Sequence, residues 1–132
     1  MLKSLEQERA KYAWECVNEV KEKSSEVKEK YKSYVKRSVS LILTNGLGNT
    51  LAFYGSKFKC KKNLSKDEEA YKLVYEHIDG WFRKRFKIDK DILEWIIYDA
   101  SSLEVFNVTK EIISLLIWMR RFVEAELEEE GE

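Results

Sequence analysis

Apolar residues recur every three or four positions along almost the whole chain, and no proline interrupts them. That period puts one apolar face on a helix, whereas a half-buried strand needs a period of two. Leu2, Leu5, Tyr12, Ala13, Cys16, Val17 and Val20 form a first stripe, and Ser24-Ser25 offers a break. Val27, Tyr31, Tyr34, Val35, Val39, Ile42 and Leu43 form a second, and a shorter third carries Leu47, Leu51, Tyr54 and Phe58. Ser65-Lys66-Asp67-Glu68 has the form of a capping box, with acids in the first turn to suit the helix dipole. The fourth stripe runs through Ala70, Tyr71, Val74, Ile78, Trp81 and Phe82 and ends on basic Arg83-Lys84-Arg85. Asp89 is the expected cap of a fifth helix carrying Ile92, Leu93, Ile96 and Ile97. Ser101-Ser102-Leu103-Glu104 is a second capping box, opening a sixth helix with Val105, Val108, Ile112, Leu115, Leu116, Met119 and Phe122. No alternating run is flanked by hairpin turns. The expected fold is all-α, a compact bundle of about six helices in one domain spanning residues 1–132.

A chain of 132 residues buries roughly two-thirds of its unfolded surface, enough for one core. No apolar run approaches the ~20 residues of a membrane span. Met1-Leu2-Lys3 turns charged at once, unlike a signal peptide. Cys16 and Cys60 have no metal-ligand spacing and form no disulfide framework, so a reducing cytoplasm is expected, without membrane, metal or cofactor. Charged residues make up 36% of the chain at a formal net charge of zero, yet they are unevenly placed. Between Lys21 and Lys66 the only acids are Glu22, Glu26 and Glu29, among many lysines. From Glu124 to Glu132 there is no base at all. A polarised neutral protein is suited to docking something charged.

The stretch ILTNGLGNTLAF, Ile42 to Phe53, breaks the helical pattern. Gly46-Leu47-Gly48-Asn49 fits half a dinucleotide fingerprint, but the third glycine and the preceding strand are missing. No Gly-Lys-Ser/Thr follows to make a Walker loop. The preferred reading is a helix stop at Asn45-Gly46, where a left-handed backbone is needed, followed by a helix start. Gly48, Ala52 and Gly55 fall at i, i+4 and i+7, leaving a face without bulk that a neighbouring backbone can approach. The free N–H groups from Leu47 to Thr50 can also accept a phosphate.

Tyr34, Lys36-Arg37, Ile42, Asn45-Gly46-Leu47, Thr50-Leu51-Ala52-Phe53 and Ser56-Lys57 stand in an order that continues with Ala70-Tyr71, Ile78 and Trp81. The order closes on Thr109-x-Glu111, Leu115, Trp118 and Arg120-Arg121-Phe122. This set resembles the small helical subunit of type III-B CRISPR effector (Cmr) complexes across nearly the whole chain. Val39 stands where that family often has proline and Asn107 where arginine is common. The first departure would straighten the second helix; the second removes a positive charge. The resemblance implies a non-catalytic subunit, with RNA cleavage left to other subunits and several copies stacked head-to-tail beside the backbone subunits.

The residues themselves offer little for catalysis. The only histidine, His77, has Asp79 two positions away, pointing elsewhere on a helix, and reads as a surface or boundary residue. Glu68-Glu69 and Glu128-Glu129-Glu130 suit a helix dipole and a solvated tail. Lys28, Lys32 and Lys36 are four apart, a row beside the second apolar stripe that rises about 6 Å per step and can follow a sugar–phosphate backbone. Lys57-Phe58-Lys59-Cys60-Lys61-Lys62 holds four lysines and no acid. With Arg37 these clusters suggest one shared basic face, and Arg120 and Arg121 add to it unless one pairs with Glu104, Glu111 or Glu124.

The expected mechanism is sequence-independent neutralisation of guide-RNA and target-RNA phosphates, with counterion release driving affinity and base pairing reading the sequence. The expected partners are other CRISPR effector subunits, these RNAs and copies of the chain itself. Trp14, Trp95, Tyr98 and Trp118 exceed what a small core needs and mark partner surfaces, although Trp81 and Trp118 also sit on core stripes. The acidic end, 124–132, is expected to fray in solvent because its carboxylates oppose the dipole, or else to meet the basic face of the next copy. Two other readings stand beside this one: the small subunit of another CRISPR effector type, and a helical protein–protein adaptor with no nucleic-acid role.

Overall fold

A computed structural model of the protein describes residues 3–127. Among them are six helices and no strand: α1 (Leu5–Val20), α2 (Ser25–Asn45), α3 (Leu47–Ser56), α4 (Lys66–Phe86), α5 (Ile92–Tyr98) and α6 (Ser102–Glu126). The expected all-α architecture is the one observed. Three starts are capping boxes, in which a serine hydroxyl accepts from the backbone three residues on and the side chain there accepts in return. Ser65–Glu68 and Ser101–Glu104 are the two boxes legible from the sequence. Ser4–Gln7 is a third, and it starts α1 three residues later than the Leu2 stripe suggested.

Asp91, not Asp89, caps α5: its carboxylate accepts from the Leu93 and Glu94 N–H groups at 3.0 and 3.1 Å. Asp89 is fully exposed and faces Arg83. Of the expected stripe, Leu93 and Ile96 pack partly buried against the core. Ile92 and Trp95 are buried, while Ile97 and Tyr98 are exposed. Trp95 is therefore a core residue packed on Phe82, with ring centroids 5.0 Å apart, rather than a partner-facing aromatic.

The long helices define the bundle. α1 and α6 run in the same direction, tied at one end by Arg9–Glu111 and at the other by Lys21–Glu126. α2 runs opposite to α6, with Lys32 reaching Leu127 and Lys36 reaching Glu124. α4 runs opposite to α1, with Tyr12 on Trp81 and Glu19 on His77. Trp81, Tyr31, Tyr54, Phe82 and Leu51 are the largest side chains sealed in the shared core. With Val39 in place of proline, α2 is one uninterrupted helix of 21 residues, and no described helix is long and apolar enough to cross a membrane.

Gly46 ends α2 at φ 88°, ψ 157°, a conformation that essentially only glycine adopts. Its N–H donates to Ile42 and its carbonyl accepts from Thr50, so one residue closes one helix and opens the next. The small-residue face of α3 is met by side chains and not by a second backbone. A Cβ on Gly48 would lie 3.5 Å from Ile96, one on Gly55 would meet Lys59, and Ala52 is exposed.

Candidate nucleic-acid interface

The basic residues of α2 and α3 separate into two groups once their partners are traced. Lys32 is buried: its Nζ donates to the Leu127 carbonyl at 3.2 Å and lies 4.0 Å from Glu124. Lys36 forms an ion pair with the same Glu124, whose carboxyl is held below the usual range chiefly by this hydrogen bond. Lys28, at the head of the row, makes no ion pair among the described residues. The Lys28–Lys32–Lys36 row is thus covered in part by the end of α6 and does not lie open along its length. Glu124 and Glu126 are likewise not free in solvent, Glu126 pairing with Lys21 at 2.9 Å. Leu127 is buried and anchors this end, which is why α6 stays helical to Glu126 despite its acids. The rest of the acidic end, 128–132, lies outside the described residues.

Lys59 and Lys61 are also engaged. Lys59 donates to the Tyr75 hydroxyl at 2.8 Å and stands 3.6 Å from Asp91. Lys61 pairs with Glu68, and this hydrogen bond is the largest cause of that carboxyl's lowered pKa. Lys62 is exposed without an ion pair among the described residues.

Arg37 and Lys57 are different. Tyr34 of α2 and Tyr71 of α4 stack with centroids 3.9 Å apart and planes 9° from parallel. Arg37 sits over the Tyr34 ring at 5.0 Å. Lys57 sits over Phe53 at 5.0 Å and over Tyr71 at 5.5 Å. The carboxylate at this platform, Asp67, accepts from the Tyr34 hydroxyl. Neither cation has a carboxylate partner among the described residues. A ring face attracts a cation without cancelling its charge, so the platform presents two positive charges on a rigid aromatic base.

Arg120 and Arg121 lie exposed on α6. Arg120 is near enough to Glu124 to help lower its carboxyl, after Lys36 and Lys32. Neither arginine meets Glu111. That carboxylate faces the other way and accepts two hydrogen bonds from Arg9, at 2.6 and 2.8 Å, and one from Trp81 Nε1 at 3.0 Å. Arg85 stands 3.8 Å away. Burial alone would raise the Glu111 pKa; the bonds from Arg9 and Trp81 outweigh it and hold the carboxyl ionised. In the Thr109-x-Glu111…Trp118 motif, the Thr109 hydroxyl donates back to the Val105 carbonyl within α6 at 2.7 Å. Trp118 is half-buried against Phe122, which meets the exposed Trp14 edge-on.

His77 is not a surface residue. It is 6% exposed, its Nδ1 2.7 Å from the Tyr31 hydroxyl and its Nε2 3.1 Å from Glu19. A neutral ring accepting from Tyr31 and donating to Glu19 satisfies both contacts, and burial lowers its pKa. Asp79 points away, accepting from Arg83 and from the Ile92 N–H. Burial pushes the Cys16 thiol up to about 12. Among the described residues no three His, Cys, Asp or Glu side chains are grouped to hold a metal ion.

Fold and surface together define a small helical module, internally ion-paired, that presents cations on an aromatic platform. Residues 5–126, from the start of α1 to the end of α6, match the family described as CRISPR-associated protein (Cas_Cmr5). The chain belongs to this CRISPR-associated Cmr family, the small helical subunit of type III-B effector complexes.

Proposed function

We propose that the chain is a non-catalytic structural subunit of a type III-B RNA-guided, RNA-targeting complex, contacting the backbones of guide and target RNA in antiviral defence in the cytoplasm. The observation that carries this reading is the Arg37–Lys57 platform, whose cations rest on rings and have no carboxylate partner among the described residues. Such charges keep their mobile counterions, and releasing those ions to a polyanion is what drives binding. Lys62, Lys28, Arg120 and Arg121 extend the contact. Lys32, Lys36, Lys59 and Lys61 contribute less, because each already has an acceptor. Sequence is left to base pairing. Few phosphates are touched per copy, so copies stacked head-to-tail along the complex sum small contributions. Exposed Ile97, Tyr98, Leu103 and Phe106, on α5 and the start of α6, provide the apolar surface through which other effector subunits dock.

The test is retention of guide RNA by the assembled complex at two salt concentrations. Changing Arg37, Lys57 and Lys62 together to alanine lowers retention and flattens its salt dependence by up to about three phosphate contacts. Changing Lys59 and Lys61 to alanine costs less. Equal losses from both variants, or an unchanged slope in the first, would remove the platform from the interface.

A further inference from the structure

The corner between α2 and α3 carries more than charge. Arg37, Leu41 and Asn45 follow one another four residues apart on α2, and Asn49, Phe53 and Lys57 do the same along α3 and its C-cap. Residues four apart share a helix face. The reversal at Gly46 brings Leu41 and Asn45 together with Asn49 and Phe53 around one pocket, and the stacked Tyr34 and Tyr71 rings carry Arg37 and Lys57. Between them lies a pocket of about 320 Å³ lined by both asparagines, Leu41 and Phe53, at the small end of ligand-sized cavities. Lys57 covers the Phe53 ring from one turn beyond, so the side toward Asn49 is left as the pocket wall. Phe53 is 45% exposed. The Asn45 and Asn49 amides make no hydrogen bond among the described residues, whereas Thr50 at the same corner is already bonded to Gly46. Arg37 and Lys57, one helical turn beyond Leu41 and Phe53, are the cations of the aromatic platform.

We infer that this corner holds one unpaired nucleotide of single-stranded RNA. Its base lies between Leu41 and Phe53 with its polar edge toward the Asn45 and Asn49 amides, and its phosphate lies between Arg37 and Lys57. The gradient from amide through aromatic to cation matches a nucleotide from base edge to phosphate. A carboxamide both donates and accepts, as a base edge requires, and stacking on an aromatic ring tolerates any base. A protein side chain would suit the apolar walls but would not use two uncompensated cations one turn beyond. The glycines contribute only the turn, so this site is unrelated to a phosphate-cradling loop. The inference rests on the RNA-contacting reading above and adds a base-holding pocket to it.

The test is fluorescence anisotropy at low salt with the full chain, using labelled hexa-adenylate, hexa-uridylate and a blunt RNA duplex. Phe53→Ala should weaken both single strands by about fivefold to a hundredfold, leave the duplex unchanged and leave the salt slope unchanged. Asn45→Ala with Asn49→Ala, on exposed positions, should weaken single strands less and unequally between the two bases. Arg37→Ala with Lys57→Ala should lower the salt slope for single strands and duplex alike. The pocket is refuted, with RNA contact intact, if Phe53→Ala binds single strands as tightly as the parent chain or loses the duplex equally. It is also refuted if Phe53→Ala keeps RNA but no longer co-purifies with other effector subunits, since the pocket then takes a protein side chain. Failure of the unmodified chain to bind either single strand would also refute the pocket, whereas the RNA-contacting reading is judged separately, by retention of guide RNA in the assembled complex.

Discussion

The seam where α1, α4 and α6 meet and the corner where α2 meets α3 treat charge in opposite ways. In the seam every charged or polar group is answered by another: Glu111 takes two bonds from Arg9 and one from Trp81, and His77 is held by Tyr31 and Glu19. At the corner Arg37 and Lys57 have only rings beneath them. The difference follows from desolvation. A buried charge left unpaired costs several kcal/mol, so the seam must close its charges and they become architecture. At the surface water covers a lone cation at little cost, so an open charge can be kept until a polyanion arrives.

The strongest way to break this comparison is at Glu111. Glu111→Ala leaves Arg9 with only Glu6 and the Trp81 N–H with no acceptor, in a site where the glutamate side chain is 8% exposed. Unfolding in urea should show a loss of about 3 kcal/mol. Lys57→Ala, at the corner, should cost less than about 1 kcal/mol, the worth of an exposed cation–π contact. If the two losses were equal, the seam would be no more architectural than the corner. Gly46→Ala comes next. It forces a Cβ into φ 88°, at a cost of about 1–3 kcal/mol, and it should reduce RNA retention as well, because the turn at Gly46 helps set α3 against α2.

The helix boundaries on which this contrast rests were legible in the sequence. Ser65, Ser101 and Gly46 announce helix boundaries because capping and positive φ demand particular residues, whatever the helix packs against. Lys32 shows where such reading ends. Periodicity places it at the edge of a stripe, beside Tyr31 and Val35, but its burial depends on Leu127, 95 residues away in the chain. His77 and Trp95 were misplaced for the same reason: a boundary position becomes core only when a neighbouring helix covers it. Asp91 caps α5 in place of the expected Asp89, and the Tyr75 hydroxyl, which donates to its carboxylate at 2.7 Å, comes from another helix. The Arg37–Leu41–Asn45 and Asn49–Phe53–Lys57 rows were present in the spacing, and their meaning appears only when the turn brings Leu41 and Asn45 together with Asn49 and Phe53.

A gentler probe of the seam is pH. Burial lowers the folded-state pKa of His77, and Glu19 opposes this only in part. The unfolded chain, titrating near 6.5, then binds the proton more readily. Stability is therefore full above that value and declines as pH falls below it, by at most about 1.4 kcal/mol per pH unit. Urea midpoints at pH 7.5 and 5.5 should separate in the parent chain and move together in His77→Gln. A shift that survives the substitution would place the titrating group elsewhere.

The smallest expected effect tests whether closed and open charges can be exchanged. Glu124 sits between the two regions, about half exposed and paired with Lys36. Glu124→Gln keeps the shape and removes the charge, so Lys36 loses its partner and joins the open set. The urea midpoint should hardly move, since an exposed ion pair contributes little to stability. RNA retention by the assembled complex should rise, and its salt slope should steepen by up to about one released ion. A slope that stays flat would mean that Lys36 faces no phosphate even when unpaired. The positive surface would then end at Arg37, and the lysine row along α2 would serve only to hold the end of α6.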